Sequence, residues 1–255
     1  MNYRMIGRII GQILGLEALF LLLPLAICLA DGDEPAVLGF TLSVLISAGV
    51  YLLLRWLCRN AETGFRAKEG LVCVSLAWMA MSFLGCLPFF LSGAIPNLVD
   101  ALFETVSGFT TTGASILPAV EGLPRGLLFW RSFTHWVGGM GVLVFLLAII
   151  PISGAGGGFT MHLLRAESPG PNVGKLVPRI RQTAKLLYLI YVVLTVLDLI
   201  FLLLGGMPLF DALCTAFATA GTGGFSVRNA SMAAYSPYLQ NVTTVFMLLF
   251  GVNFS

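Results

Sequence analysis

Two short segments rich in threonine and glycine have the composition of a loop that coordinates a cation through its main chain. They are Thr110–Gly113 and Gly221–Gly224. Small side chains let main-chain carbonyls line a narrow passage, where they replace the hydration shell of an ion. The glycine that ends each segment permits backbone conformations that side chains forbid. The two segments therefore have the residue types that a main-chain ion site requires.

The two loops belong to a sequence repeat with an offset of 111 residues. Asp100–Leu102 recurs as Asp211–Leu213, and Thr111–Ser115 corresponds to Thr222–Ser226. A single Thr/Gly segment would be read as an ordinary turn between helices. Two copies in register, each after a short apolar segment that begins near an aspartate, favour a pore instead.

The elements that must position these loops are two short apolar segments, Leu98–Phe109 and Leu209–Ala220. Segments of this length are too short to cross a bilayer and are typical of re-entrant helices. Each such half-helix would direct the partial negative charge of its C-terminal end toward a cation. Asp100 and Asp211 are predicted to cap the helix starts by accepting hydrogen bonds from unpaired N–H groups.

Glu104 and Asp198 also lie inside apolar segments, where an ionisable group is a functional candidate by default. Glu104 is in the first half-helix, and we favour a structural role for it, in which it braces the loop by accepting main-chain N–H bonds. Asp198 lies within a long apolar span and is expected to pair with Arg131 or His135 of another helix. A structural pair is the preferred interpretation for Asp198, ahead of a role in transport.

The composition places the whole chain in a membrane. Of its 255 residues, 58% are hydrophobic and 10% are charged, and the mean hydropathy is +0.94. A soluble domain carries roughly 25% charged residues, so the outer surface of this chain must face lipid. Apolar spans are predicted at 9–30, 36–57, 71–91, 127–150 and 184–204, and a further one begins near residue 239.

The distribution of basic residues predicts the orientation of the chain. If the N-terminus is cytoplasmic and both half-helices enter and leave on the outer side, eleven basic residues face the cytoplasm. Only Arg125, Arg131 and Arg228 then remain outside. The positive-inside rule favours this assignment, and the assignment itself requires the two re-entrant segments.

Taken together, several stretches resemble the Trk/Ktr/HKT family of potassium transporters, in particular the bacterial Trk-type membrane subunit. The stretches are Phe103–Ser115, Ala220–Ser226, His135–Gly141, Leu164–Pro171 and Lys175–Ile180. The resemblance covers most of the chain beyond residue 70.

The resemblance implies an all-α integral membrane fold, with repeated helix–pore loop–helix units after two extra transmembrane helices. Residues 1–69 correspond to the extra helices, 70–150 to the first repeat, 151–182 to a cytoplasmic linker and 183–255 to a second repeat truncated in its last helix. The family has four such repeats, so the chain is expected to be a fragment.

The implied function is uptake of potassium as the pore-forming subunit of a Trk-type system in the bacterial inner membrane. Potassium is the expected substrate, with no covalently bound cofactor. Expected partners are membrane lipid, a second copy of the chain and a cytosolic nucleotide-binding regulatory subunit; nucleic acid is not expected. By the resemblance, filter support is assigned to Asp100, Glu104 and Asp211, and glycine at both filter positions favours potassium over sodium. The resemblance also implies that the ion is contacted by the main-chain carbonyls of six residues: Thr111, Thr112, Gly113, Thr222, Gly223 and Gly224.

Two alternative functions stay open at this point. A polytopic membrane enzyme, such as a protease that uses Ser107 and His135, would need several titratable groups at one depth, and the sequence offers few. A membrane scaffold that does not conduct ions is the other alternative.

Overall fold

The computed structural model describes residues 2–59, 67–141 and 180–252. Within these ranges the regular structure is entirely helical. The helices are α1 (Tyr3–Phe20), α2 (Leu22–Asp31), α3 (Glu34–Leu57), α4 (Ala67–Gly85), α5 (Leu87–Leu91), α6 (Leu98–Phe109), α7 (Arg125–Gly139), α8 (Ile180–Leu204), α9 (Leu209–Ala220) and α10 (Pro237–Gly251), with a 3₁₀ turn at Ser231–Ala234.

Local sequence signals set the boundaries of the first helices. The side chain of Asn2 accepts a hydrogen bond from the Met5 amide at the start of α1, and Asp33 does the same for Ala36 at the start of α3. Such caps satisfy amides that have no partner within the helix. Gly32 ends α2 in the left-handed conformation, at a φ of 73°, which glycine adopts without strain.

Four of the described helical segments are long and apolar enough to cross a membrane: Tyr3–Asp31, Glu34–Leu57, Glu69–Leu91 and Lys185–Leu204. They agree with four of the predicted spans. The two short helices α6 and α9 have the bounds predicted for the half-helices. The predicted fourth span, 127–150, is described only as far as residue 141, where α7 has already ended; residues 142–150 and the linker up to 179 lie outside the described residues.

Helix α7 is the central element of the described structure. Ten consecutive residues, 126–135, are buried, and a helix that is buried all round lies in the interior of its fold. It packs against α2, α6 and α9. Trp130 donates a hydrogen bond from its indole nitrogen to the Gly85 carbonyl at 2.9 Å. The outer surfaces of α3 and α8 expose large apolar side chains, as expected of helices that face lipid.

Two polar contacts mark opposite ends of the helix assembly. The Asn2 amide donates to the Glu69 carboxylate at 2.7 Å, so α1 and α4 begin at the same end. Arg125 pairs with Asp31 at 3.1 Å, so α7 begins beside the turn between α2 and α3. Helices α1 and α4 thus begin at one end of the assembly and α7 begins at the other, as the predicted topology requires. The orientation of the chain relative to the cytoplasm stays a prediction.

Candidate functional site

The two predicted loops have the same backbone conformation at equivalent positions. Thr111 and Thr222, which are 111 residues apart, have φ values of 53° and 52°, in a region that β-branched residues rarely occupy. The Thr111 amide donates to the Gly108 carbonyl at 3.0 Å, and the Thr222 amide donates to Thr219 at 2.9 Å. The repeat seen in the sequence is therefore also a repeat of local structure.

The next residues of the loops continue this correspondence. The Thr112 amide donates to the Ser107 carbonyl, and the Gly223 amide donates to the Ala218 carbonyl, each at 3.0 Å. Gly113 and Gly224 follow with φ values of 73° and 85°. Both are in the left-handed region, which explains why glycine stands at the end of each loop.

Each loop is followed by a segment that runs back along its own half-helix. After the first loop, Ser115 and Ile116 donate to the Glu104 carboxylate in the middle of α6, at distances of 2.9 to 3.1 Å. After the second loop, Arg228 contacts Asp211 in the first turn of α9 at 3.2 Å. The chain thus doubles back along each half-helix after its loop, which is the hairpin that a re-entrant segment requires.

The prediction that Asp100 and Asp211 cap the half-helices is wrong. Asn97 is the residue that caps α6, since its side chain accepts a hydrogen bond from the Val99 amide at 2.9 Å. Pro208 precedes α9 and has no side chain that could cap it. Both aspartates lie one turn further on, where a carboxylate still interacts favourably with the helix dipole.

Asp211 instead holds the segment that follows the second loop. The Tyr235 hydroxyl donates to its carboxylate at 2.8 Å, beside the contact from Arg228. Burial raises the pKa of Tyr235 to about 12, and the hydrogen bond to Asp211 adds to the increase. The phenol therefore stays neutral at physiological pH and remains a donor. The Asp100 carboxylate makes no hydrogen bond to another described residue, so the two equivalent aspartates differ in their side-chain contacts.

A buried ion pair lies behind the first loop. Arg131 of α7 donates from Nε to the Glu104 carboxylate of α6, and their side chains are 4% and 0% exposed. The same carboxylate accepts the Ile116 amide, which is the kind of contact that the bracing interpretation predicted for Glu104. Whether Glu104 supports an ion filter stays a prediction.

Arg131 also reaches the second loop. Its Nη1 donates to the Ser226 carbonyl at 3.0 Å, and its guanidinium carbon lies 3.7 Å from the centre of the Phe225 ring. His135, one turn further along α7, stacks on the same ring with centroids 4.1 Å apart. One face of α7 therefore holds both loops, although the sequence assigned no site role to Arg131 or Phe225.

The two loops meet at glycine positions. A Cβ atom added to Gly113 would collide with the carbonyl oxygen of Gly223. A Cβ on Gly223 would meet the His135 ring, and one on Gly221 would lie 2.5 Å from the His135 carbonyl oxygen. These glycines are required because the backbone of each loop is in direct contact with α7 or with the other loop.

Most of the predicted ion-contacting carbonyls are available. Within the described residues, those of Thr111, Thr112, Gly113, Thr222 and Gly224 accept no hydrogen bond. Thr112, Thr222 and Gly224 are exposed. At membrane depth, main chain of this kind is tolerated only where it is buried in protein or lines a wet cavity.

Two other residues that the sequence analysis singled out, Asp198 and Ser107, lack the partners proposed for them. Asp198 was expected to pair with Arg131 or His135, and this is wrong. Arg131 is bound to Glu104, and neither the Asp198 carboxylate nor the His135 ring has a hydrogen-bond partner among the described residues. Ser107 Oγ has no hydrogen-bond partner among the described residues, so it lacks the base contact that a serine nucleophile requires.

Comparison with known proteins places the chain in a family. The family described as TrkH, a cation transport protein, matches residues 38–255. The chain belongs to the TrkH family. This TrkH-family chain is 40% identical over 260 residues to the Trk system potassium uptake protein TrkH of Salmonella typhimurium, covering 100% of this chain and 52% of that protein.

Two further comparisons agree with this assignment. The Trk system potassium uptake protein TrkG of Escherichia coli is 32% identical over 260 residues, again covering 100% of this chain and 52% of the relative. The crystal structure of the potassium transporter TrkH from Vibrio parahaemolyticus matches with a TM-score of 0.82 and 33% identity, covering 100% of this chain and 51% of that one. The TrkH-family chain thus spans about half the length of the relatives it matches.

These findings confirm the predicted fold class. The TrkH-family chain is an all-α, multi-pass integral membrane protein. The predicted division at residues 69, 150 and 182 is tested neither by the structure nor by the comparisons, and it stays a prediction.

Proposed function

We propose that this chain supplies two of the pore loops of a potassium-uptake protein of the Trk type. The observation that carries the proposal is the matched pair of loops, which meet at Gly113 and Gly223 and have carbonyls free of described partners. The names of the relatives support potassium as the substrate: TrkH of Salmonella typhimurium is a potassium uptake protein and TrkH of Vibrio parahaemolyticus a potassium transporter.

The geometry gives a physical reason for cation binding at this place. Both half-helices, α6 and α9, end at the loops, so the partial negative charges of their C-terminal ends add to the field of the free carbonyls. Carbonyl dipoles that stand in for hydration water select a cation of suitable size. Glycine at positions 113 and 224 favours potassium over sodium, by the family resemblance.

The proposed arrangement has two N-terminal helices in residues 1–69, a first repeat in 70–150, a linker in 151–182 and a second repeat in 183–255. Two loops would form half of a filter, and further loops would close the exposed side where Thr112 and Thr222 lie. The N-terminus is placed in the cytoplasm and the protein in the bacterial inner membrane.

The proposed partners follow from the same resemblance. Lipid covers the exposed apolar side chains of α3 and α8. A second copy of the protein and a cytosolic nucleotide-binding regulatory subunit complete the proposed assembly. The names of the relatives describe transport systems, which supports a transporter rather than a membrane enzyme. Potassium is then the transported substrate, and the proposed mechanism uses no covalently bound cofactor.

Growth rescue tests this proposal. The complete gene product that contains this chain is expressed in a bacterium that lacks its own potassium-uptake systems, on medium with little potassium. Growth is expected with the native sequence. It is expected to be lost with Gly113→Asp, because the new side chain would collide with the Gly223 carbonyl oxygen. Equal growth of both strains, at equal protein levels in the membrane, would contradict the proposal.

A further inference from the structure

A second buried carboxylate, Glu17 of α1, takes no part in the loop contacts described above. Its residue is 1% exposed, and neither of its carboxylate oxygens has a hydrogen-bond partner among the described residues. An ionised carboxylate is very costly to bury without a partner, whereas the protonated form is tolerated. Glu17 therefore differs from Glu104, which is equally buried but is paired with Arg131.

Glu17 lies at the wall of an apolar cavity between α1, α4, α7 and α8. Eight other residues line the cavity: Ile13, Leu16, Phe20, Met81, Trp136, Val137, Met140 and Tyr188. None of these described lining residues carries a positive charge. The cavity has about 20 Å³ available to the centre of a water-sized sphere, which is enough for a single water molecule. Such a molecule would give a proton a path to the carboxyl group.

The carboxyl group also adjoins the first half-helix. A Cβ atom added to Gly85 of α4 would lie 2.9 Å from Glu17 Oε1, 2.9 Å from the Phe109 ring and 3.2 Å from the Thr105 methyl group. Glu17 and the C-terminal part of α6 thus meet at the same face of one glycine. Phe109 is the last residue of α6 before the first loop.

We propose that Glu17 is a proton-binding site inside the membrane, and that loss of its proton displaces the first half-helix. Among the described residues, the titratable side chains next to it are Tyr188 of α8, which lines the cavity, and Cys86 at the end of α4. Neither can supply a positive charge. A carboxylate formed there has to recruit more water than the cavity holds, and the part of α6 beside Gly85 has to move. The effect on ion flux rests on the proposed function, whereas the proton site does not.

The proton site is tested by labelling with dicyclohexylcarbodiimide, an apolar reagent that reacts with protonated carboxyl groups. The carboxyl proton passes to one carbodiimide nitrogen while the carboxylate oxygen bonds to the central carbon. The adduct rearranges to a stable N-acylurea, so the peptide gains the mass of one whole reagent molecule. The complete gene product is labelled in liposomes at several pH values and analysed by mass spectrometry.

Glu17 is expected to be labelled at pH 6, with a rate that falls about tenfold per pH unit once the carboxyl ionises. Glu104 is the control in the same molecule, and it is expected to stay unmodified because Arg131, Ser115 and the Ile116 amide occupy its carboxylate. No label on Glu17 at pH 6, or the same rate from pH 6 to pH 10, would overturn the proton site. This result does not depend on whether the protein conducts ions.

The coupling to α6 is tested by rubidium flux in the same liposomes. The ratio of flux at pH 9.5 to flux at pH 6 is expected to fall below one in the native protein and to stay near one in Glu17→Gln, which cannot ionise. The same decline in both proteins would overturn the coupling. Absence of flux at every pH, together with pH-dependent labelling, would contradict the proposed transport function and leave the proton site supported.

Discussion

The carboxylate of Glu104 and the guanidinium of Arg131 form a buried ion pair that joins the first half-helix to α7. From this pair, Glu104 holds the segment after the first loop through Ile116. Arg131 holds the segment after the second loop through Ser226 and Phe225. A single pair of charges therefore sets the position of both candidate filter loops.

Replacement of Glu104 by glutamine is expected to destabilise the protein strongly. The change leaves the Arg131 charge buried without a counterion, and loss of one partner from such a pair costs about 3–5 kcal/mol. Thermal unfolding of the detergent-purified protein measures the effect. Asp31→Asn is the matched control, because its pair with Arg125 is largely exposed and is worth only about 0–1 kcal/mol. Equal shifts for the two variants would contradict the central role of the buried pair.

Alanine at the two filter glycines is expected to have unequal effects. Both positions have a positive φ, so both variants carry backbone strain of about 1 kcal/mol or more. Only at position 113 does the new Cβ also collide, with the Gly223 carbonyl, because Gly224 has open space around it. Rubidium uptake is therefore expected to fall much further in Gly113→Ala than in Gly224→Ala. The reverse order would show that the loops do not meet as described.

The repeat itself provides a third comparison, between Asp211→Asn and Asp100→Asn. Both changes remove a carboxylate from the first turn of a half-helix, so the loss of interaction with the helix dipole is shared. Asp211 also loses its charged contacts with Arg228 and Tyr235. Its replacement is expected to cost about 1 kcal/mol more than that of Asp100. Unfolding temperatures measure this difference, and identical values would mean that the contacts of Asp211 contribute nothing.

Much of this arrangement could be predicted from sequence, because it depends on local signals. The bounds of α6 and α9 follow from the lengths of two apolar segments, and the positive φ values of Gly113 and Gly224 follow from glycine at the end of each loop. The 111-residue offset between the two copies of the repeat predicted that Thr111 and Thr222 occupy equivalent positions in their loops. These features depend on residues close in the chain.

The contacts that hold the loops could not be predicted, since they join distant residues. The sequence assigned Arg131 to the outer side and offered it as a partner for Asp198, whereas it is buried against Glu104, 27 positions earlier in the chain. The expected pairing of Asp198 with Arg131 failed for the same reason, because Glu104 was already its partner. The position of Arg131 inside the apolar stretch after Leu127 was the sequence signal that could have indicated a buried charge with a buried partner. The capping prediction failed because Asn97 and Pro208 stand nearer the helix starts.

Phe225 is expected to affect the second loop in particular. Its ring lies between the Arg131 guanidinium and the His135 ring, and a cation–π contact of this kind is worth about 0.5–2 kcal/mol. Phe225→Leu removes both ring contacts and is expected to reduce the preference for potassium over sodium. Phe83→Leu is the control, because Phe83 is 51% exposed. Unchanged ion preference in Phe225→Leu would show that these ring contacts do not hold the filter.

The central claim is that the loops ending at Gly113 and Gly224 form part of a potassium filter. Uptake of radioactive rubidium into liposomes that contain the complete gene product tests it most directly, with unlabelled potassium or sodium as competitor. In the native protein, potassium is expected to block rubidium uptake more strongly than sodium does. In Gly113→Ala, this difference between the two competitors is expected to be lost. Uptake that is absent in the native protein, or a potassium preference that Gly113→Ala leaves intact, would contradict it.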